Sequence, residues 1–326
     1  MPQCPVVTVC IPTFNRPEML RRSLQSVLWQ SLRDIEVIVS DNASTADVAA
    51  VIAEFDDPRV VHDRLDANIG LFGNLSRCLS LGSGRYRVML PDDDLMLPGN
   101  LERKSRFMDA HPEVGLVHSA FRHLNAAGLP YGPVHNWARF DQDTVQSGRD
   151  FIGQSIANCG IVCVSSVMLR SDLVKDEQFL EADGPYCDLA LWLRVALRSH
   201  VGFLPDPLSG YLMHAGSASS GFQTVREVRG RTRQTTHHAD VLLQAHGRFI
   251  RRPEIDPDFA RELEQLLTDS DRRLRLSIRV NNLLPTPAVK VLKRAVRWGR
   301  GGRAYEALSL YSAYTPPKSM PDRTDA

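Results

Sequence analysis

The segment Arg85–Pro98, RYRVMLPDDDLMLP, decides the fold. Its first half is a strand-length apolar run, predicted as a strand over residues 86–90, and it stops at three successive carboxylates, Asp92, Asp93 and Asp94. A helical pattern follows over 98–110. An apolar strand, a polar exit and a helix make up the repeating unit of an α/β sheet. Upstream, VVTVCI at 6–11 is uncharged and rich in β-branched residues, as befits a strand covered on both faces. PTFNRP breaks it, and Leu20, Leu24, Val27 and Leu28 then recur at helical spacing across 18–30. The same reading gives strands at 36–39 and 60–63 and helices at 46–55 and 73–81. Downstream come a strand at 115–121, a Gly-, Pro- and Asn-rich loop over 125–143, a strand at 161–169, a helix at 187–198 and strands at 201–204 and 210–214. This rhythm predicts a mainly parallel sheet flanked by helices.

Beyond about residue 222 the strand pattern fades into arginine-rich helices at 227–249 and 258–284. The expected organisation is a nucleotide-binding and catalytic unit over 1–220, a helical extension over 221–314 and a polar, disordered tail over 315–326. In 288–300, Lys290, Lys293, Arg294, Arg297 and Arg300 fall on one arc of a helical wheel, and Val289, Val291, Leu292, Ala295, Val296 and Trp298 on the other. That pattern suits an anionic lipid surface, and equally a helix docked on the enzyme with a solvated basic face.

Composition narrows the function. The chain has 326 residues, 43% of them hydrophobic and 24% charged, enough to bury a core without metals or disulfides. Its net charge of +1 gives no global attraction for nucleic acid. Six cysteines lie at positions 4, 10, 78, 159, 163 and 187, with no CxxC pair, and read as reduced thiols. No signal peptide or membrane-length apolar run is visible. The expectation is a cytoplasmic protein, peripheral on the inner face of the membrane if 288–300 binds lipid.

In open parallel sheets, ligands bind outside the carboxyl ends of the strands, where strand order reverses. Three predicted strand exits carry polar residues: Thr13, Asn15 and Arg16; Asp41 and Asn42; and the aspartate triplet. Adjacent carboxylates repel one another unless they are solvated or neutralised by a cation, and hard oxygen ligands suit Mg²⁺ or Mn²⁺. The alternative is an acidic turn favoured by the dipole of the following helix.

Three blocks, VVTVCIPTFNR, EVIVSDNAST and GRYRVMLPDDDLMLP, resemble in order and spacing the inverting glycosyltransferases of family 2, over roughly residues 5–215. The resemblance implies a GT-A fold, a nucleotide-diphosphate sugar donor (UDP- or dTDP-sugar ahead of GDP-sugar), Mn²⁺ or Mg²⁺, and a saccharide or lipid-linked hydroxyl acceptor in cell-envelope glycan synthesis. It implies that Pro12, Thr13, Asn15 and Arg16 line the donor pocket and that Asp41 reads the base beside Asn42. Asn68 and Gly70 fall in a loop next to the donor. Asp92 and Asp93 bind the donor, and Asp93, Asp94 and His214 bind the metal. Asp188, opening the helix DLALWLRVAL, matches the general base, with Asp183 in reserve; the other reading of Asp188 is an N-cap. His214 likewise reads either as a residue near the metal or as a core-edge histidine. A nucleotidyltransferase would share nucleotide, metal and sheet, but PTFNRP lacks the glycine-rich phosphate loop of that class. A catalytically inactive sugar-nucleotide or glycan-binding protein is the second alternative.

Overall fold

The computed structural model describes residues 4–138, 140–158, 162–214, 225–228, 231–234 and 237–283, with side chains described outside 225–239 and 277–283. In chain order the elements are β1 (Val7–Thr13), α1 (Pro17–Leu28), β2 (Ile35–Asp41), α2 (Val48–Ala53), β3 (Val60–Arg64), α3 (Gly70–Ser80), β4 (Tyr86–Met89), β5 (Leu95–Met96) and α4 (Asn100–Ala110). They continue as β6 (Val114–Leu124), β7 (Pro130–His135), β8 (Thr144–Gln146), α5 (Gly148–Asn158), β9 (Val167–Arg170), α6 (Cys187–Ala196) and β10 (His200–Leu212). A hairpin of β11 (Val225–Val228) and β12 (Arg231–Gln234) precedes α7 (His237–Ile250) and α8 (Pro257–Leu283).

Ten strands form one sheet in the order β3-β2-β1-β4-β9-β6-β10-β5, with β7 paired to β6 and β8 to β10. The first four strands are parallel, and so is the pair β6–β10. Strand β9 runs antiparallel between β4 and β6, and β5, β7 and β8 are antiparallel additions. The sheet is therefore mixed, and the purely parallel pattern is confined to its first four strands. The uncharged run at 6–11 reflects burial on both faces. Val7, Val9 and Ile11 enter a core with Leu20 and Leu24 of α1, while Cys10, between them, enters the opposite core. That second core joins Trp192 of α6 and Phe151 of α5 to Phe249 of α7 and Leu263 of α8, so the last two described helices pack with the elements that flank the sheet.

Several segments differ from the sequence reading for local reasons. Residues 130–135 pair with β6 despite their glycine and prolines, as an edge strand can. The expected strands at 201–204 and 210–214 are one strand, interrupted by register shifts around Pro205 and Pro207, whose missing N–H groups break the ladder. The helix expected from 227 begins at 237, after the β11–β12 hairpin. Helix α5 was not anticipated. The basic stretch 288–300 and the tail 315–326 lie outside the described residues.

Candidate active site

Strand order reverses between β1 and β4, because the chain builds outward from β1 through β2 to β3 and then returns to the other side of β1. The crevice at their carboxyl ends receives the three polar exits. Thr13 pairs with Asp41 in register at the ends of β1 and β2, with Pro12 beside Ser40 one step back. The Thr13 hydroxyl donates to Asp92 Oδ2 at 2.8 Å. Arg16 Nη1 lies 3.2 Å from both Asp92 Oδ1 and Asp93 Oδ2. His214 Nε2, just past β10, lies 2.9 Å from Asp93 Oδ2. Five predicted residues, Thr13, Arg16, Asp92, Asp93 and His214, thus meet in one hydrogen-bonded group.

The three carboxylates occupy different environments. Burial, and then the charge of Asp93, push the Asp92 carboxyl up to about 6 against the pull of Arg16 and Thr13. Asp94 turns inward: it is 1% exposed, and its Oδ1 accepts the Leu212 backbone N–H at 3.0 Å. Burial and the neighbouring Asp93 raise its carboxyl well above the usual range. By tying down Leu212, Asp94 fixes the strand end from which His214 reaches Asp93. Cys163, one of the six cysteines that read as reduced thiols, lies with its Sγ 3.9 Å from Asp94 Oδ2. Burial raises its thiol strongly, and the charges of both Asp94 and Asp188 add to that rise.

Asp188 is the second residue of α6, whose N-cap position is Tyr186 with no side-chain cap, so the N-cap reading of Asp188 does not hold; it is partly buried, its Oδ1 accepting its neighbour's Leu189 N–H at 2.7 Å. Burial raises its carboxyl to about 6, opposed only by backbone N–H groups. Asp183 differs: it bonds Arg194 at 3.1 Å and Arg252 at 3.3 Å, in an ion cluster joining α6 to the turn after α7. Both Asp183 oxygens are engaged by arginine, which leaves Asp188 the freer carboxylate of the two.

On the β2 side, Asp41 is fully buried, its Oδ1 bonded by the Ser44 N–H at 2.9 Å and its Oδ2 3.2 Å from His62 Nε2. His62, on β3, carries no signal in the sequence. Asn42 holds the next loop: its amide donates to Asn68 Oδ1 and the Gly70 carbonyl, and its oxygen accepts the Ile69 N–H. Gly70 has φ +78°, in the left-handed region that glycine enters without strain. Asn15 is a clamp, its Oδ1 accepting the N–H groups of Thr45 and Ala46. Asn15, Asn42, Asn68 and Gly70 thus order the loops beside the strand ends through side-chain and backbone hydrogen bonds.

Among the described residues no group of three or more His, Cys, Asp or Glu side chains is arranged to enclose a metal. Mg²⁺ and Mn²⁺ are, however, commonly held by one or two protein ligands and completed by substrate phosphate. Asp93 Oδ2 and His214 Nε2 converge to 2.9 Å beside Asp92, a donor set that fits such an open site.

The family model described as "Glycosyl transferase family 2" matches residues 8–166. An uncharacterized protein of Mycobacterium tuberculosis is 31% identical over 217 residues, covering 64% of this chain and 67% of that one. The UDP-Glc:alpha-D-GlcNAc-diphosphoundecaprenol beta-1,3-glucosyltransferase WfaP of Escherichia coli is 25% identical over 250 residues, 75% of this chain and 90% of that one. Among solved structures, residues 1–349 of S. aureus TarS in complex with UDP-GlcNAc superpose with a TM-score of 0.58 over 89% of this chain and 80% of that one, at 16% identity, a likeness of fold. Among the described residues no helix is long and apolar enough to cross a membrane.

Proposed function

The chain belongs to glycosyl transferase family 2 and has the GT-A fold, and we propose that it transfers one sugar from a nucleoside-diphosphate sugar to a hydroxyl of a lipid-linked or cell-envelope saccharide, with inversion at the anomeric carbon. The observation that carries the reading is the meeting of Arg16, Asp92, Asp93 and His214 in one hydrogen-bonded group at the sheet's switch point.

In this reading the nucleotide lies across the ends of β1 and β2. The Asp41 carboxylate, held by Ser44 and His62, accepts a pyrimidine ring N–H, which favours UDP or dTDP over GDP. Arg16 faces the diphosphate. Asp93 and His214, with Asp92 adjacent, would hold Mn²⁺ or Mg²⁺, which supplies charge stabilisation for the departing diphosphate. Asp188 accepts the proton of the acceptor hydroxyl, whose oxygen attacks C1 from the face opposite the leaving group. One displacement inverts the configuration, and no side-chain nucleophile is used. The acceptor class is supported by the lipid-linked acceptor in the name of the E. coli relative and the donor class by the UDP-GlcNAc bound to TarS.

The test is release of nucleoside diphosphate from a panel of UDP-, dTDP- and GDP-sugars with Mn²⁺ and an undecaprenyl-diphosphate-linked sugar. The proposal expects turnover with a uridine or thymidine donor and a product of inverted anomeric configuration by NMR. A product of retained configuration, or NTP-dependent activation of a sugar phosphate instead, would overturn it.

A further inference from the structure

We infer that Arg16 is a placeholder cation: without donor its guanidinium neutralises the carboxylates that take the metal, so that metal binding is coupled to donor binding. This inference rests on the proposed function. Arg16 Nη1 bridges Asp92 Oδ1 and Asp93 Oδ2 at 3.2 Å each. The same Asp93 Oδ2 lies 2.9 Å from His214 Nε2, so the oxygen best placed to ligate a cation already faces two nitrogens. Asp92 is also committed, its second oxygen taking the Thr13 hydroxyl. A divalent ion arriving alone must displace the guanidinium from two carboxylates whose side chains are only 6% and 13% exposed, where interactions between charges are screened less than in water.

The backbone under Arg16 is pinned. Asn15 is tied to the loop at 44–46, and Pro17 begins α1 and restricts the residue before it. The side chain reaches the carboxylates on a long stem and is one third exposed. A donor diphosphate offers the guanidinium a bidentate partner. Its arrival draws Arg16 off the carboxylates as the negative charge at the site rises. Each ligand then favours the other, and by linkage the coupling is reciprocal.

The experiment titrates Mn²⁺ alone and Mn²⁺ with UDP, following free Mn²⁺ by electron paramagnetic resonance, on the wild type, Arg16→Met and Arg16→Gln. The wild type is expected to bind Mn²⁺ weakly by itself and roughly tenfold or more tightly with UDP. Both variants are expected to bind Mn²⁺ alone roughly tenfold more tightly than the wild type, with the UDP enhancement reduced to match. A wild type that binds Mn²⁺ with UDP, beside variants whose affinity for Mn²⁺ alone is unchanged or weaker, would overturn this inference and leave the proposed function standing. A wild type that binds no Mn²⁺ even with UDP would overturn both.

Discussion

Replacing Asp188 with asparagine tests its role on two independent readouts, stability and turnover. Burial lifts the Asp188 carboxyl from 3.8 to about 6. At about 1.4 kcal/mol for each pH unit, that rise means the ionised side chain destabilises the fold by about 3 kcal/mol above pH 6. For a group whose folded pKa lies above its unfolded one, this penalty is absent below pH 4 and grows as pH climbs from 4 to 6. Asp188→Asn is therefore expected to raise stability in urea by about 2 to 3 kcal/mol at pH 7, with no gain at pH 3.5. Over the same change kcat falls by about 10²- to 10⁴-fold, because the amide cannot accept the acceptor's proton. In the wild type, turnover rises with pH through about 6; at pH 5 roughly one molecule in ten carries the ionised base, so the rate is roughly a tenth of its plateau. The assays are urea unfolding at the two pH values and nucleotide release at saturating substrates. An Asp188→Asn protein that keeps more than a third of its kcat and is no more stable at pH 7 would refute the assignment of Asp188 as the proton acceptor.

Other outcomes follow from groups around the site. Lys104 is wholly buried on α4, its Nζ has no hydrogen-bond partner, and burial lowers its ammonium to about 7. The unfolded chain then binds the proton more strongly between pH 7 and 10.5, so Lys104→Met is expected to stabilise by roughly 4 kcal/mol at pH 7 and progressively less toward pH 10, read by urea unfolding. Asp183→Ala leaves Arg252 without its anion and Arg194 with Glu177 alone, and is expected to cost about 2 to 3 kcal/mol in unfolding free energy while Mn²⁺-dependent UDP binding survives. Asp41→Asn swaps one of the base-reading acceptor oxygens for an amide donor. Calorimetry is expected to show UDP affinity falling at least roughly tenfold, with Mn²⁺·diphosphate affinity little changed.

What could be read from the sequence was local. An uncharged β-branched run has few fates other than a strand buried on both faces, and a carboxylate directly after one stands at a sheet's edge whatever its neighbours. Thr13, Asp41 and Asp92 were legible for that reason. The partners that give those residues their properties come from distant strands. His62 faces Asp41 across a strand pairing, and Cys163 meets Asp94 from 69 positions along the chain. Nothing local distinguishes either from an ordinary edge histidine or core cysteine. Asp94 reads like its two neighbours, and only its bond to Leu212 shows that it faces inward. Strand β7 was hidden because glycine and proline normally signal a turn, whereas an edge strand tolerates both. The β11–β12 hairpin was hidden because its arginines and polar residues continue the composition of the helix that follows.

The most direct measurement is calorimetric titration of UDP into the wild type and Asp93→Asn, each with Mn²⁺ and with EDTA. Tight binding confined to the wild type with Mn²⁺ is the predicted pattern, because the Asp93 carboxylate is the site's anchor for the cation that meets the diphosphate. Equal UDP affinity in all four titrations would contradict the account at its root.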